Sequence, residues 1–346
     1  MSDIDAMPPM PLNGLQEGLP AGLAPGRADS SVVRQLAQLD RTESALVLAS
    51  GMAAVACTMV SLLRPGDHLL ASRWLRPETR RFFEHELPAL GVQVSFVDPT
   101  ETRGWRRSLT RTTRLVYLES PVDPTTRIVD MRPARTLAQE LGLALVVDAT
   151  LASPINFRPV EHGADVVLHS SSMFLDGHGD GIAGVVCGSE AVVDEVRTKM
   201  QSWGAEPHPM AVEQLARGLK TLGVRVAKQN ATAMVVAEWA ASQAVADGAM
   251  QTVRYPGLAS HPDHAVATEC FSGYGNLISI TLRGGDVAVG ELLSRLQQVR
   301  VQDAERAARL GGVESVASAL PEGSIRLSIG LDEASTLIDD LTQALE

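Results

Sequence analysis

From His68 to Cys187 the chain repeats one pattern, a short apolar run, a turn, and a stretch with helical spacing. Strands are expected at His68–Ala71, Gln93–Val97, Arg114–Glu119, Leu143–Asp148, Val166–His169 and Ile182–Cys187. Between them, Thr79–Leu90 and Pro133–Leu141 carry helical periodicity, closed by Gly91 and Gly142. Short, nearly continuous apolar strands alternating with helices restrict the fold severely. Parallel neighbours need long crossovers, and the crossover helices cover both faces of the sheet. The expected class is therefore α/β with a mainly parallel sheet.

The flanks of this region read differently. Residues 1 to about 30 are rich in Pro, Gly and Ala without periodicity, as in an extended arm or a disordered tail. Ser31–Arg41 predicts a short helix with Val32, Leu36 and Leu39 on one face, and an apolar helix follows Gly51 as far as Leu63, where Arg64-Pro-Gly-Asp67 stops it. A long helical stretch covers Met210–Ala246, with a break expected near Gly223. Beyond it, strand patterns at Leu277–Leu282 and Ser324–Ile329 and helices at Val287–Val299 and Glu333–Leu345 predict a smaller α+β domain. The expected division is an arm and short helix over 1–40, a large domain over 41–225 and a small domain over 226–346.

Composition removes several function classes. Of 346 residues, 45% are hydrophobic and 21% charged, as in an ordinary globular chain with a full-sized core. A net charge of −11 argues against nucleic acid as a partner, since phosphate binding needs a basic surface. No apolar run reaches the roughly 18 residues of a membrane span, and the start, MSDIDAMPPMPLNG, lacks the basic and apolar regions of a secretion signal. Cys57, Cys187 and Cys270 are far apart and odd in number, which suits free thiols in reducing cytosol. No His/Cys/Asp group has metal-ligand spacing. His169, His178, His261 and His264 are read as hydrogen-bonded structural histidines. Lysine is scarce, at Lys199, Lys220 and Lys228 alone, and that limits any amine chemistry.

Seven local motifs then narrow the reading. In order they are Ala49-Ser-Gly-Met-Ala-Ala54, Glu119-Ser-Pro-Val-Asp-Pro124, Val146-Val-Asp-Ala-Thr150, His169-Ser-Ser-Ser-Met-Phe-Leu-Asp-Gly-His-Gly-Asp180, Arg217-Gly-Leu-Lys-Thr-Leu222, Tyr255-Pro-Gly-Leu-Ala-Ser-His-Pro-Asp-His264 and Ile325-Arg-Leu-Ser-Ile-Gly330. At these spacings the chain resembles, over roughly residues 30 to 346, the cysteine/methionine (transsulfuration) family of pyridoxal-phosphate (PLP) enzymes, which includes cystathionine γ-synthase, cystathionine γ-lyase and methionine γ-lyase. The resemblance implies fold type I, with a mainly parallel seven-stranded sheet and a smaller C-terminal α+β domain. It also implies a lysine that forms a Schiff base with PLP and moves protons, a site shared across a dimer, and action on sulfur amino acids.

Residue by residue, the resemblance puts Gly51 and Met52 at the phosphate turn, Asp148 at the pyridinium partner, Ser170 and Ser172 at two hydroxyl positions before the lysine, and Arg326 at the arginine that grips the substrate carboxylate. Glu119 also matches. Outside the family context Asp148 would suit a strand-end cap, the serines a turn cap, and Arg326 a surface charge. Other positions depart. Met173 stands at the Schiff-base lysine and Arg76 at the tyrosine that stacks on the cofactor ring. Asp123 replaces the asparagine near the cofactor's phenolic oxygen. The inter-subunit Tyr-x-Arg segment has no counterpart in Gly18–Ser31, and the loop before Arg326 is cut to Ala317–Gly323. Methionine has no amine and cannot form an imine. The losses together imply a degenerate homologue without PLP-lysine catalysis, acting as a non-catalytic or regulatory subunit in a homodimer, a tetramer or a hetero-oligomer with an active paralogue. Two alternatives stay open: a lysine-independent enzyme that holds PLP or a small amino-acid-like anion non-covalently, and a carbon–sulfur lyase or synthase acting on cysteine, homocysteine or cystathionine. Lys220 as a substitute amine would require a relocated cofactor.

Overall fold

A computed structural model describes residues 30–246, 248–302 and 310–346. The expected N-terminal arm and the Gly18–Ser31 segment therefore lie almost wholly outside the described residues. The first sheet contains β1 (Ser44–Leu48), β2 (His68–Ser72), β3 (Gln93–Val97), β4 (Thr113–Glu119), β5 (Ala144–Asp148), β6 (Val166–Ser170) and β7 (Gly184–Gly188). Their order is β1-β7-β6-β5-β4-β2-β3. The run β3-β2-β4-β5-β6 is parallel throughout. β7 pairs antiparallel with both β6 and β1.

Alternation along the strands divides two cores. Val116, Leu118, Leu145, Val147, Val167 and Val185 face one layer, which includes Trp105, Phe157 and Phe174. Tyr117, Val146, Val166, Leu168 and Val186 face the other, against the helix Gly51–Leu62 and Phe83. Burial on both faces explains why these strands read as continuous apolar runs. Each parallel strand delivers its carboxyl end to one side of the sheet, the side on which open α/β sheets build their binding crevices.

The second sheet contains β8 (Met250–Arg254), β9 (Leu277–Leu282), β10 (Arg300–Val301), β11 (Val316–Leu320) and β12 (Ser324–Ser328) in the order β10-β11-β12-β9-β8. β10 and β11 are parallel and the other pairs antiparallel. The helices Gly285–Arg295 and Ala334–Leu345 pack on it. The long helical stretch breaks at Lys220–Thr221, between Pro209–Leu219 and Leu222–Val245, near Gly223 as expected. The second of these helices runs across the expected boundary at 225. Leu222 and Val226 pack into the first core, and Ala233, Val236, Ala237 and Ala240 into the second.

One expectation is overturned. Ala317–Gly323 is not a loop: Val316–Leu320 forms β11, paired with the strand that carries Arg326, and only residues 321–323 turn. The small residues Ala317, Ser318 and Ala319 have weak strand propensity of their own. Burial of Val316, Ala317 and Ser318 supplies what propensity does not.

Candidate functional site

Five segments meet at the carboxyl ends of the parallel strands. After β1, Ser50 caps the helix Gly51–Leu62, its hydroxyl accepting from Ala53 N at 3.1 Å. Two glycines let this turn sit against the sheet. A Cβ on Gly184 would meet Ser50 O at 2.0 Å, and one on Gly51 would meet Ser170 Cβ at 2.9 Å. The helix N-terminus is thereby held against β6, with its free N–H groups at the site. After β5, Asp148 is fixed by its neighbours. Thr150 donates to Asp148 Oδ1 from its backbone N at 2.9 Å and its hydroxyl at 2.5 Å. Thr150 Oγ1 in turn accepts from Ser170 N at 2.8 Å. Ser170 and Ser172 face each other, Oγ to Oγ at 3.0 Å.

A cleft of about 220 Å³ opens here, lined by Ser50, Gly51, Met52, Val55, Arg76, Glu78, Thr79, Asp148, Thr150, Ser170 and Ile182. The structure thus brings together five of the residues singled out from the sequence: Gly51, Met52, Arg76, Asp148 and Ser170. Ser172, Met173, Glu119, Asp123 and Arg326 are not part of this lining. Met173 is buried among core residues that include its neighbours Phe174 and Leu175. Its Sδ accepts a weak contact from Arg76 Nη1 at 3.6 Å. Arg76 Nε lies 3.8 Å from Glu78. Trp74, two residues before Arg76, lies under the Arg127 guanidinium at 4.3 Å, and Arg127 is bound to Asp263 through two N–H groups at 2.6 and 2.9 Å.

Glu119 sits behind the cleft at the end of β4, in register with Asp148. It accepts from Arg76 N at 2.8 Å through Oε2, while Oε1 has no partner within hydrogen-bond geometry among the described residues. Burial, and then the Asp148 carboxylate, pushes its pKa up to about 8. In its protonated form Glu119 can donate as well as accept. Asp123 and Arg326 form a separate buried pair, Oδ2 to Nη1 at 2.6 Å. His169, one residue before Ser170, is tied to Asp40 at 2.9 Å. Burial acts to lower its pKa, but Asp40, together with Asp148 and the Ala149 backbone, outweighs that and holds it up. His178 contacts Asp176 O, His261 contacts Thr126, and His264 contacts Pro256 O, all as structural groups.

Sequence reasoning passed over Ser50, Thr150, Thr79 and Ile182 as lining residues. Ser50 and Thr150 lay inside motifs already singled out, and each carries a readable signal. Ser50 is an N-cap before an apolar helix, and Asp148-x-Thr150 is a side-chain turn. Thr79 and Ile182 had no such signal, because only the third dimension brings them to the rim.

These residues fit part of PLP and not the rest. The helix N-terminus with Ser170 suits a phosphate, and Asp148 suits a ring nitrogen. Among the described residues no amine lines the cleft. Lys199, Lys220 and Lys228 are absent from it, and Lys228 Nζ is paired with Glu333 at 2.8 Å. A covalently anchored PLP does not fit. Among the described residues no His/Cys/Asp/Glu group could hold a metal ion, and no helix is long and apolar enough to cross a membrane.

Comparison with known proteins agrees with the fold. Residues 27–321 match the family model described as Cys/Met metabolism PLP-dependent enzyme. The chain is 36% identical to L-methionine gamma-lyase of Pseudomonas putida, over 90% of this chain and 81% of that protein. It is 32% identical to cystathionine gamma-synthase of Mycobacterium leprae, over 90% and 82%. The crystal structure of metB from Corynebacterium glutamicum superposes with a TM-score of 0.85 at 29% identity, over 91% of this chain and 84% of that one, so the sheet described above is that of PLP-dependent fold type I. With the family model covering most of its length and a relative 36% identical over 90% of it, the chain belongs to the Cys/Met metabolism PLP-dependent enzyme family.

Proposed function

We propose that this member of the family has given up lysine–PLP chemistry and serves as a non-catalytic or regulatory subunit, in a homo-oligomer or together with an active paralogue. The observation that supports this most directly is the contact between Arg76 and Met173. By the resemblance, these are the positions of the stacking ring and of the Schiff-base lysine. The two departures touch each other, a cation against a thioether, so each is accommodated by the other and neither is an isolated lesion. An amine placed at 173 would face a guanidinium. The Ser50 cap and the Asp148–Thr150–Ser170 chain of the neighbouring cleft are in place. Any PLP or small amino-acid-like anion held in the cleft would be bound non-covalently, with its anionic end at Gly51 and Ser170.

A second reading has its own support. Several relatives carry lyase or synthase names, and 36% identity to a methionine gamma-lyase favours carbon–sulfur lyase or synthase activity. One experiment separates the two. The purified protein is incubated with PLP, treated with borohydride and weighed by mass spectrometry, and α-keto acid release from cysteine, homocysteine, cystathionine and methionine is followed in parallel. We expect no covalent adduct and no turnover. A stoichiometric adduct on Lys199, Lys220 or Lys228, or release at about 1 per second or faster, would put the lyase reading in its place.

A further inference from the structure

We infer that the exposed arginines of residues 103–111 and the hollow beside them form a docking surface for a partner protein. The segment it takes is acidic and carries one large apolar side chain among its carboxylates. Residues 102–118 hold five arginines, Arg103, Arg106, Arg107, Arg111 and Arg114, and no acidic residue, in a chain whose net charge is −11. All five are exposed. Arg106 is paired with Glu140 at 2.5 Å and Arg114 with Asp67 at 3.4 Å. Among the described residues, no side-chain hydrogen bond or ion pair engages Arg103, Arg107 or Arg111. Elsewhere on the surface, Arg41 sits on Glu161, Arg197 on Asp194, Arg217 on Asp180 and Arg300 on Glu314. Arg103 and Arg107 lie four residues apart on the helix Thr102–Arg107, a spacing at which like charges face each other and repel.

The backbone beneath these arginines is fixed. Trp105 is buried and donates from Nε1 to Asp98 O at 2.9 Å, which ties the helix to the end of β3. In the turn that carries Arg111, Thr113 Oγ1 accepts from Thr110 N at 2.9 Å and contacts His68 Nδ1 at 2.8 Å, and Thr113 N donates to Thr110 O at 3.2 Å. A fixed backbone lowers the ordering cost of docking. Beside the arginines, a hollow of about 330 Å³ lies between the helices Thr102–Arg107 and Arg132–Leu141, lined by Trp105, Arg106, Arg132, Pro133, Thr136 and Leu137. Its floor is apolar, with Trp105 and Leu137 buried. Its two arginines are already taken, Arg106 by Glu140 and Arg132 by Asp130 and Glu269. The hollow therefore suits an uncharged side chain, while Arg103, Arg107 and Arg111 suit carboxylates, which a guanidinium grips through two parallel N–H bonds. Exposed ion pairs contribute little each. The arginines thus select and orient the partner, and an apolar anchor in the hollow supplies most of the hold. The charge of the rest of the chain decides between kinds of polyanion. A nucleic acid would extend over acidic surface and be repelled there, whereas a short acidic segment meets the arginines alone. The hollow shares no lining residue with the cleft, and its role does not depend on whether lysine–PLP chemistry is lost.

The test uses the full chain and a fluorescein-labelled peptide, Glu-Asp-Glu-Leu-Glu-Asp-Glu, followed by fluorescence anisotropy without PLP, so its failure leaves the borohydride experiment untouched. We expect saturable binding that weakens at least roughly tenfold between about 50 and about 300 mM salt. The double variant R107E/R111E should bind the peptide at least roughly tenfold more weakly than wild type. R254E/R295E changes the net charge equally at exposed positions of the second sheet and its helix, and should lose less than roughly threefold. A peptide with serine in place of its leucine should bind at least roughly fivefold more weakly, because the hollow is then left unfilled. Absence of saturable binding below about 1 mM peptide, equal losses in the two double variants, or no loss with the serine peptide would each overturn the inference. So would a single-stranded oligonucleotide of the same charge that binds as tightly as the peptide, since the arginines would then be a general polyanion surface.

Discussion

Position 173 shows how far a single side chain reaches in this fold. Met173 is buried and touches Arg76. Met173→Lys would bring a second cation to the guanidinium. Like charges about 4 Å apart at an effective dielectric of about 20 repel by about 4 kcal/mol. A buried lysine relieves part of this by giving up its proton. We therefore expect M173K to lose roughly 2–4 kcal/mol of stability. Arg76→Tyr in that background should recover more than it does alone, since the two sites are in contact. A thermal double-mutant cycle measures the coupling, and strictly additive effects would show that the contact carries no energy. Glu119 gives a pH-dependent prediction at the same scale. Its folded pKa of about 8 lies above its ordinary value of 4.5. Between those values the folded state holds a proton that the unfolded state has released, so this group's contribution to stability falls as pH rises through that window and is level above it. Glu119→Gln keeps an acceptor for Arg76 N and removes the titration. The melting-temperature advantage of E119Q over wild type should grow from about pH 5 to about pH 8 and then stay flat. An advantage that does not change across that range would mean the carboxyl is already ionised.

At the scale of elements, the small sheet depends on one carboxylate in its last helix. Asp340, in the helix Ala334–Leu345, accepts from the backbone N of Gln297, Gln298 and Val299, each at 2.9 Å. These bonds fix the segment that leads from the helix Gly285–Arg295 into β10. Burial pushes the Asp340 pKa up, but the three backbone donors outweigh burial and hold it below 3.8. Its stabilisation is therefore complete above that value and is lost as pH falls through the lowered folded value. Asp340→Ala leaves three N–H groups without their partner and should cost about 2–4 kcal/mol. Urea denaturation would show it, with the midpoint moved and the slope unchanged. A loss under about 0.5 kcal/mol would mean that water replaces the carboxylate at no cost.

The whole molecule raises the question of what covers its exposed apolar atoms. Ile182, on the rim of the cleft, is 65% exposed, and Trp203, after the helix Glu190–Ser202, is 52% exposed. A two-fold dimer built on the face around the helix Gly51–Leu62 and residues 70–85 is the assembly that the family resemblance implies. Light scattering at micromolar concentration should give twice the mass of the chain. A monomer there would remove the subunit reading in its homo-oligomeric form and leave only a hetero-oligomer, to be sought by co-purification with a paralogue.

The sequence alone determined the layered architecture. Strands such as Ala144–Asp148 are buried on both faces through their middle, so the requirement for apolar residues is written at successive positions, Leu145, Val146 and Val147. Caps and stops such as Ser50 and Gly142, which takes a left-handed φ of 62°, are local chemistry and equally legible. Asp148 and Ser170 were legible because the residues that hold them are near in sequence or sit in an ordered set of motifs. The sequence misread β11 because Ala317, Ser318 and Ala319 become a strand only through the partners that bury them. Tertiary structure alone decided that Arg76 meets Met173, that Asp123 pairs with Arg326, and that burial beside Asp148 raises the Glu119 pKa. Each of these depends on two segments distant in the chain approaching within a few Å in a dry interior. Electrostatic energy there is set by separation and burial, which residue order does not record.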